Sequence, residues 1–132
     1  MNNSIVFLSV PEVIYIHQVQ IGRFGGLHGT RDMKLLESAL FAPQASFDGQ
    51  FLYRDLFEMS AAYMYCLIKN HPFIDGNKRT GVVAGLAFLD ENGVAVSFDS
   101  GELYSLGVGV ADSTLSESDV VDILKNHALR ND

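Results

Sequence analysis

The chain has 132 residues, 48% of them hydrophobic, which suits one compact domain over 1–132 that buries roughly two-thirds of its unfolded surface. A formal net charge of −7 argues against direct nucleic-acid binding, which needs a basic face, and a lone cysteine, Cys66, rules out an internal disulfide. Apolar stretches such as Gly81 to Leu89 fall far short of the ~20 residues that cross a bilayer, and the start lacks a basic region followed by an apolar core, so the expectation is a cytoplasmic protein with no membrane partner.

Taken in chain order, Ser9-Val10-Pro11-Glu12 reads as a capping box with proline in the first turn. It predicts a helix through about Phe24, ended by Gly25-Gly26. A Gly-rich loop, Gly25 to Thr30, precedes a short helix from about Arg31 to Phe41 that carries Leu35, Leu36, Ala39 and Leu40 on one face and stops at Pro43. Residues 43–53 are the least helical, and Asp48-Gly49 between Phe47 and Phe51-Leu52 predicts a small hairpin, read as a flap. A long apolar helix from about Tyr53 to Lys69 follows, with Leu56, Ser60, Tyr63 and Leu67 at helical spacing; Cys66 sits in it as a packing residue.

Pro72 disfavours helical geometry at His71, so the chain leaves the helix there and re-enters one near Gly76. The next helix, about Asn77 to Glu91, points Val82, Val83, Leu86 and Leu89 to the core and ends at Asn92-Gly93. Val94 to Phe98 reads as a short extended piece, and Ser100 and Ser116 as caps of helices over about 101–111 and 117–129. With helical periodicity dominant and no internal repeat or linker, the expected fold class is all-α: about six helices and a small hairpin.

The ten residues His71-Pro72-Phe73-Ile74-Asp75-Gly76-Asn77-Lys78-Arg79-Thr80 place a base, a carboxylate and two cations around one helix start. Each has a separable chemical use. His71 can take a proton near neutral pH, Asp75 can hold a hard divalent cation through oxygen, and Lys78 and Arg79 can neutralise phosphate oxygens. Gly76 lets backbone N–H groups approach an anion at the positive end of the helix dipole, where Asn77 joins them. Phe73 and Ile74 read as loop anchors in the core, and Asp75 has a second use as the helix cap. Acidity is uneven: residues 99–132 hold seven acids against two bases, whereas Lys69, Lys78 and Arg79 lie within eleven residues and favour an anionic ligand.

The same string resembles the signature of the Fic/Doc superfamily, in its death-on-curing branch, H-x-F-x-[DN]-[AG]-N-K-R. Further likeness lies in Arg23-Phe24-Gly25-Gly26, in Gly29-Thr30-Arg31-Asp32 running into Leu36-Glu37-Ser38-Ala39-Leu40, and in Lys69-Asn70-His71, spanning roughly residues 9–129. The resemblance implies a compact Fic-like helical bundle and a growth-arresting toxin of a type II toxin–antitoxin system. It implies transfer of the γ-phosphate of ATP, with Mg²⁺, to a Ser/Thr hydroxyl of a protein target, elongation factor Tu. His71, Asp75 and Lys78 are the implied catalytic residues, with Asp75 the metal ligand. Gly76, Asn77, Lys78, Arg79, Lys69 and Arg23 are the implied phosphate and nucleotide contacts.

Superfamily members that transfer AMP resemble HPFxxGNGRxxR, with glycine where this chain has Lys78 and a second arginine where it has Val82. Both departures point toward phosphoryl transfer. Two alternatives stay open: a protein AMP transferase, and a catalytically silent module acting with its antitoxin as a co-repressor. The implied partner is a cognate antitoxin with a disordered tail. Ser113-Thr114-Leu115-Ser116-Glu117-Ser118 is the nearest string to the self-inhibitory pattern [ST]-x-x-x-E-[GN] and fails at its last position, so self-inhibition is not expected. Tyr53 and Arg54 beside the flap, and His17, His28 and His127, are assigned packing or surface roles.

Overall fold

A computed structural model describes residues 4–129. Among them six α-helices follow one another: α1 (Val10–Phe24), α2 (Met33–Phe41), α3 (Leu56–Asn70), α4 (Asn77–Glu91), α5 (Ser100–Ala111) and α6 (Glu117–Asn126). The all-α expectation holds. The two-residue strands β1 (Ser46–Phe47) and β2 (Gln50–Phe51) pair antiparallel, Ser46 opposite Phe51 and Phe47 opposite Gln50. Asp48 and Gly49 both take positive φ (53° and 80°), the backbone a tight primed hairpin turn requires. Phe47 at its tip is 78% exposed.

α3 is the central helix. Met59 through Met64 are all buried, and α2, α4, α5 and α6 pack around them. The closest approach is to α4, and two glycines permit it. A Cβ at Gly85 would come 2.5 Å from Met64 Cγ, and one at Gly81 would come 2.7 Å from Ile68 Cγ1. Removing those atoms lets Ser60 Oγ donate to the Gly85 carbonyl at 2.8 Å, which satisfies a buried hydroxyl. The Tyr63 hydroxyl accepts from Leu8 N–H at 3.0 Å and ties the chain's beginning to this core; burial pushes its pKa up to about 12. α3 and α4 thus form a closely packed pair, and the segment joining them, residues 71–76, carries the candidate motif.

Several boundaries differ from the sequence expectation for local reasons. Asp99, not Ser100, caps α5: its carboxylate accepts from Glu102 N–H at 2.7 Å while Glu102 accepts from Asp99 N–H at 2.9 Å. α6 ends at Asn126 rather than 129, and the following residues turn back so that Ala128 bridges Val96. Among the described residues that single bridge is all the strand character that Val94 to Phe98 shows. Ile74, expected in the core, is 46% exposed, whereas Phe73 is 1% exposed. Cys66 is half-buried, and burial pushes its thiol up to about 11, which suits a packing residue.

Candidate active site

α3 stops at Asn70, and His71 takes the left-handed conformation (φ 54°, ψ 53°) that reverses the chain ahead of Pro72. Gly76 repeats the left-handed turn (φ 75°, ψ 18°) and opens α4. Between these two reversals the loop is fixed from below. The Phe73 ring stacks on the His17 ring at 3.9 Å, and His17 Nε2 donates to the Asp75 carbonyl at 2.8 Å. Asn77 is buried, its Oδ1 accepting from Phe73 N–H at 2.9 Å and its Nδ2 donating to the Phe73 carbonyl at 3.0 Å. The Asn77 side chain, expected to face an anion, therefore holds the loop, and its backbone N–H is what remains for a ligand.

From the side, the loop after α1 braces the same segment. Ile74 N–H donates to the Gly29 carbonyl, Arg31 and Asp32 N–H both donate to the Pro72 carbonyl, and Thr30 bridges Phe73. The Asp75 carboxylate is gripped at both oxygens, Oδ1 by Gly76 N–H at 3.0 Å and Oδ2 by Leu27 N–H at 3.1 Å. Gly26, at φ 119°, stands where a Cβ would come 2.8 Å from Asp75 Oδ2. Asp75 is thus not the cap of α4. It is an oriented, exposed carboxylate with one further lone-pair direction open on each oxygen.

α4 begins without a side-chain cap, while α1, α2, α3, α5 and α6 are capped by Ser9, Asp32, Asp55, Asp99 and Ser116. The first N–H groups of α4, on Asn77, Lys78 and Arg79, have no partner inside the helix. Lys78 and Arg79 are exposed beside them. Arg79 Nη2 donates to the Gly25 carbonyl at 3.3 Å, and its guanidinium lies 4.8 Å from the centre of the Phe24 ring, which holds the fork over the cleft. Lys78 passes beside α5 because Gly107 is small; a Cβ there would sit 3.4 Å from Lys78 Cβ.

These groups line one cleft of about 590 Å³. His71, Asp75, Lys78 and Arg79 form its polar side, Gln20 and Phe24 close one end, and Leu103, Tyr104 and Gly107 of α5 form an apolar wall. The α5 wall and the braces from His17 and Arg31 were not anticipated as site features. Tyr104 is 73% exposed on that wall.

Two expected contacts lie outside the cleft lining. Lys69 Nζ donates to the Ala111 carbonyl at 3.4 Å and to Ser113 Oγ, so it caps the end of α5, where the helix dipole favours a cation. Arg23 lies exposed in the last turn of α1. Glu117 lies near Tyr53 and Glu58 rather than in the cleft, and burial pushes its pKa up. Arg54 pairs with Glu58 at 3.3 Å on the surface. Among the described residues no group of three or more His, Cys, Asp or Glu could hold a metal ion by itself, and no helix is long and apolar enough to cross a membrane.

Comparison with known proteins places this geometry in context. A family model described as the Fic/DOC family matches residues 7–89. The chain is 42% identical over 118 residues to the protein kinase doc of Escherichia phage P1, an alignment covering 89% of this chain and 92% of that protein. It is also 42% identical over 76 residues to toxin Doc of Mycolicibacterium smegmatis, covering 58% of each.

Proposed function

The chain belongs to the Fic/DOC family, and on that premise we propose that it is a toxin acting as a Mg²⁺-dependent protein phosphotransferase, restrained by an antitoxin with a disordered tail. It moves the γ-phosphate of ATP onto a Ser/Thr hydroxyl of a protein target, elongation factor Tu. The observation that carries the reading is the convergence of His71, Asp75, Lys78, Arg79 and an uncapped helix start on one cleft. The relatives' names, a protein kinase and a toxin, support it.

Asp75 fits a Mg²⁺ ion: it is exposed, oriented at both oxygens by backbone N–H groups and, among the described residues, belongs to no cluster of three or more metal-ligating side chains, as suits an ion that takes one or two carboxylates and fills its shell with phosphate and water. Held by Asp75, the ion would supply positive charge that offsets the charge on the phosphate oxygens. The chain's own groups do the rest. The N–H groups opening α4, with Lys78 and Arg79, hold the transferring phosphate's oxygens and favour the charge that builds on them. His71 accepts the target hydroxyl's proton as that oxygen bonds to the γ-phosphorus and the bond to the leaving diphosphate breaks. Lys78 fills the space that a glycine leaves open in AMP transferases, and Val82 supplies no second phosphate contact.

The test uses elongation factor Tu and ATP labelled separately at the α- and γ-phosphates, with wild type and Lys78→Gly. Wild type should transfer only the γ label and Lys78→Gly should lose that transfer. Transfer of the α label by wild type would identify an AMP transferase, and transfer of neither label would favour the silent co-repressor.

A further inference from the structure

We propose that Arg31 is a positioning residue for His71, fixing the backbone from which the imidazole works; this rests on the phosphotransferase reading above. His71 occupies the left-handed region (φ 54°), which side chains other than glycine rarely adopt, so something must hold it there. Proline at 72 disfavours a helical His71 but does not select the left-handed alternative, since extended geometry satisfies it equally. Arg31 supplies the selection. Its Nε and Nη2 donate to the His71 carbonyl at 2.8 and 2.6 Å, and Nη2 also donates to the Asn70 carbonyl at 3.1 Å.

Those two carbonyls point at one planar fork only while the chain reverses at His71. An extended His71 would swing its own carbonyl away from that of Asn70. The fork is itself anchored, because Arg31 N–H donates to the Pro72 carbonyl at 2.7 Å and the neighbouring Asp32 caps α2 through Leu35 N–H. Asn70 Nδ2 donates to the Leu35 carbonyl at 3.0 Å, so the end of α3 and the start of α2 are locked on both sides of the turn. The His71 imidazole, by contrast, is exposed and makes no hydrogen bond among the described residues, so its direction is inherited from the backbone. Arg31 is not among the residues lining the cleft, which separates it from the groups that would touch phosphate.

The experiment compares wild type, Arg31→Ala, His71→Ala and the double variant by three measurements: kcat for γ-phosphate transfer, Mg·ATP affinity by calorimetry, and the His71 Cα and Cβ NMR shifts, which report backbone conformation. Arg31→Ala should lower kcat about 10–100-fold with nucleotide affinity unchanged, because a small misplacement of a base is enough for that loss. It should shift the His71 signals, and in the His71→Ala background it should have no further effect on kcat. Arg31→Lys, a point charge without the fork, should recover little. Unchanged His71 signals, or the same fold-loss in both backgrounds, would overturn the inference. If Arg31→Ala lacks a cooperative thermal transition, Arg31→Gln takes its place, with the same outcomes deciding. If wild type transfers no γ-phosphate at all, the phosphotransferase reading fails, and the role of Arg31 stands or falls on the NMR shifts alone.

Discussion

At the start of α6, Ser116 and Asp119 exchange hydrogen bonds with each other's backbone at 2.9 and 3.0 Å, and the helix end is closed. At the start of α4, Gly76 offers no side chain, the following N–H groups stay open, and Lys78 and Arg79 add positive charge to the same end. The two ends face the same physical problem of orphaned donors. One solves it internally for stability. The other leaves its donors open, and the local order is supplied from outside: His17 and Phe73 beneath, the Gly25–Asp32 loop beside. A chain can thus separate folding from function helix by helix, and the difference is open to experiment from either end.

The largest expected effect comes from the open end. His71→Ala should cut phosphoryl transfer by ~10²–10⁴, the usual loss of a general base, with the thermal transition unchanged because the imidazole makes no hydrogen bond among the described residues. Growth arrest by the variant at wild-type expression would break the assignment.

Asp75→Ala should weaken nucleotide binding in Mg²⁺ by more than it weakens metal-free binding, read by calorimetry in both conditions. It should also loosen Leu27 and Gly76, whose N–H groups the carboxylate accepts. Equal losses with and without Mg²⁺ would make Asp75 a structural brace and move it to the other side of the comparison.

The closed end should respond oppositely. Ser116→Ala should lower stability by about 1 kcal/mol, the usual loss of an N-cap, while leaving transfer untouched. A urea titration and a transfer assay on one preparation settle it, and lost transfer at full stability would contradict the division.

The smallest effect lies between α5 and α6. His127 Nδ1 donates to the Ile123 carbonyl at 2.9 Å and Nε2 to Glu102 at 2.8 Å; both bonds need protonated nitrogens, so these partners hold His127 in its charged form and its pKa is raised. The Asp99 N–H and His127 together lower that of Glu102. A raised histidine stabilises below its ordinary value of about 6.5, and a lowered glutamate above about 4.5, so the pair contributes between these and its contribution fades as pH rises through the folded value of His127. The urea midpoint of wild type should therefore exceed that of His127→Gln near pH 5.5 and approach it above neutrality. A difference independent of pH would show that stacking on Phe98, at 4.1 Å, does all the work.

Much of this was legible in the sequence because it is local. The bounds of α4 follow from Gly76 and Asn92-Gly93, and the hairpin turn from Asp48-Gly49, since each choice of backbone is made within a few residues. Even the cap of α5 was readable: Glu102 stands three residues after Asp99, the capping-box spacing, whereas Ser100 has no such partner. What escaped depends on distance along the chain. His17 meets Asp75 across 58 residues and Arg31 meets His71 across 40, and neither has a local signature. Lys69 reaches the end of α5 across 42, so a lysine beside the motif was taken for a phosphate contact. Asn77 lies within the motif, yet four residues sufficed for its side chain to turn inward onto Phe73.

The most direct test of the open helix start is a titration of the ¹⁵N-labelled protein with Mg·ATP, followed through its backbone amide signals. The account predicts the largest shifts at Asn77, Lys78 and Arg79, with the first-turn amides of the five side-chain-capped helices unmoved. Equal shifts at capped and uncapped starts, or none at residues 77–79 under saturating nucleotide, would contradict it.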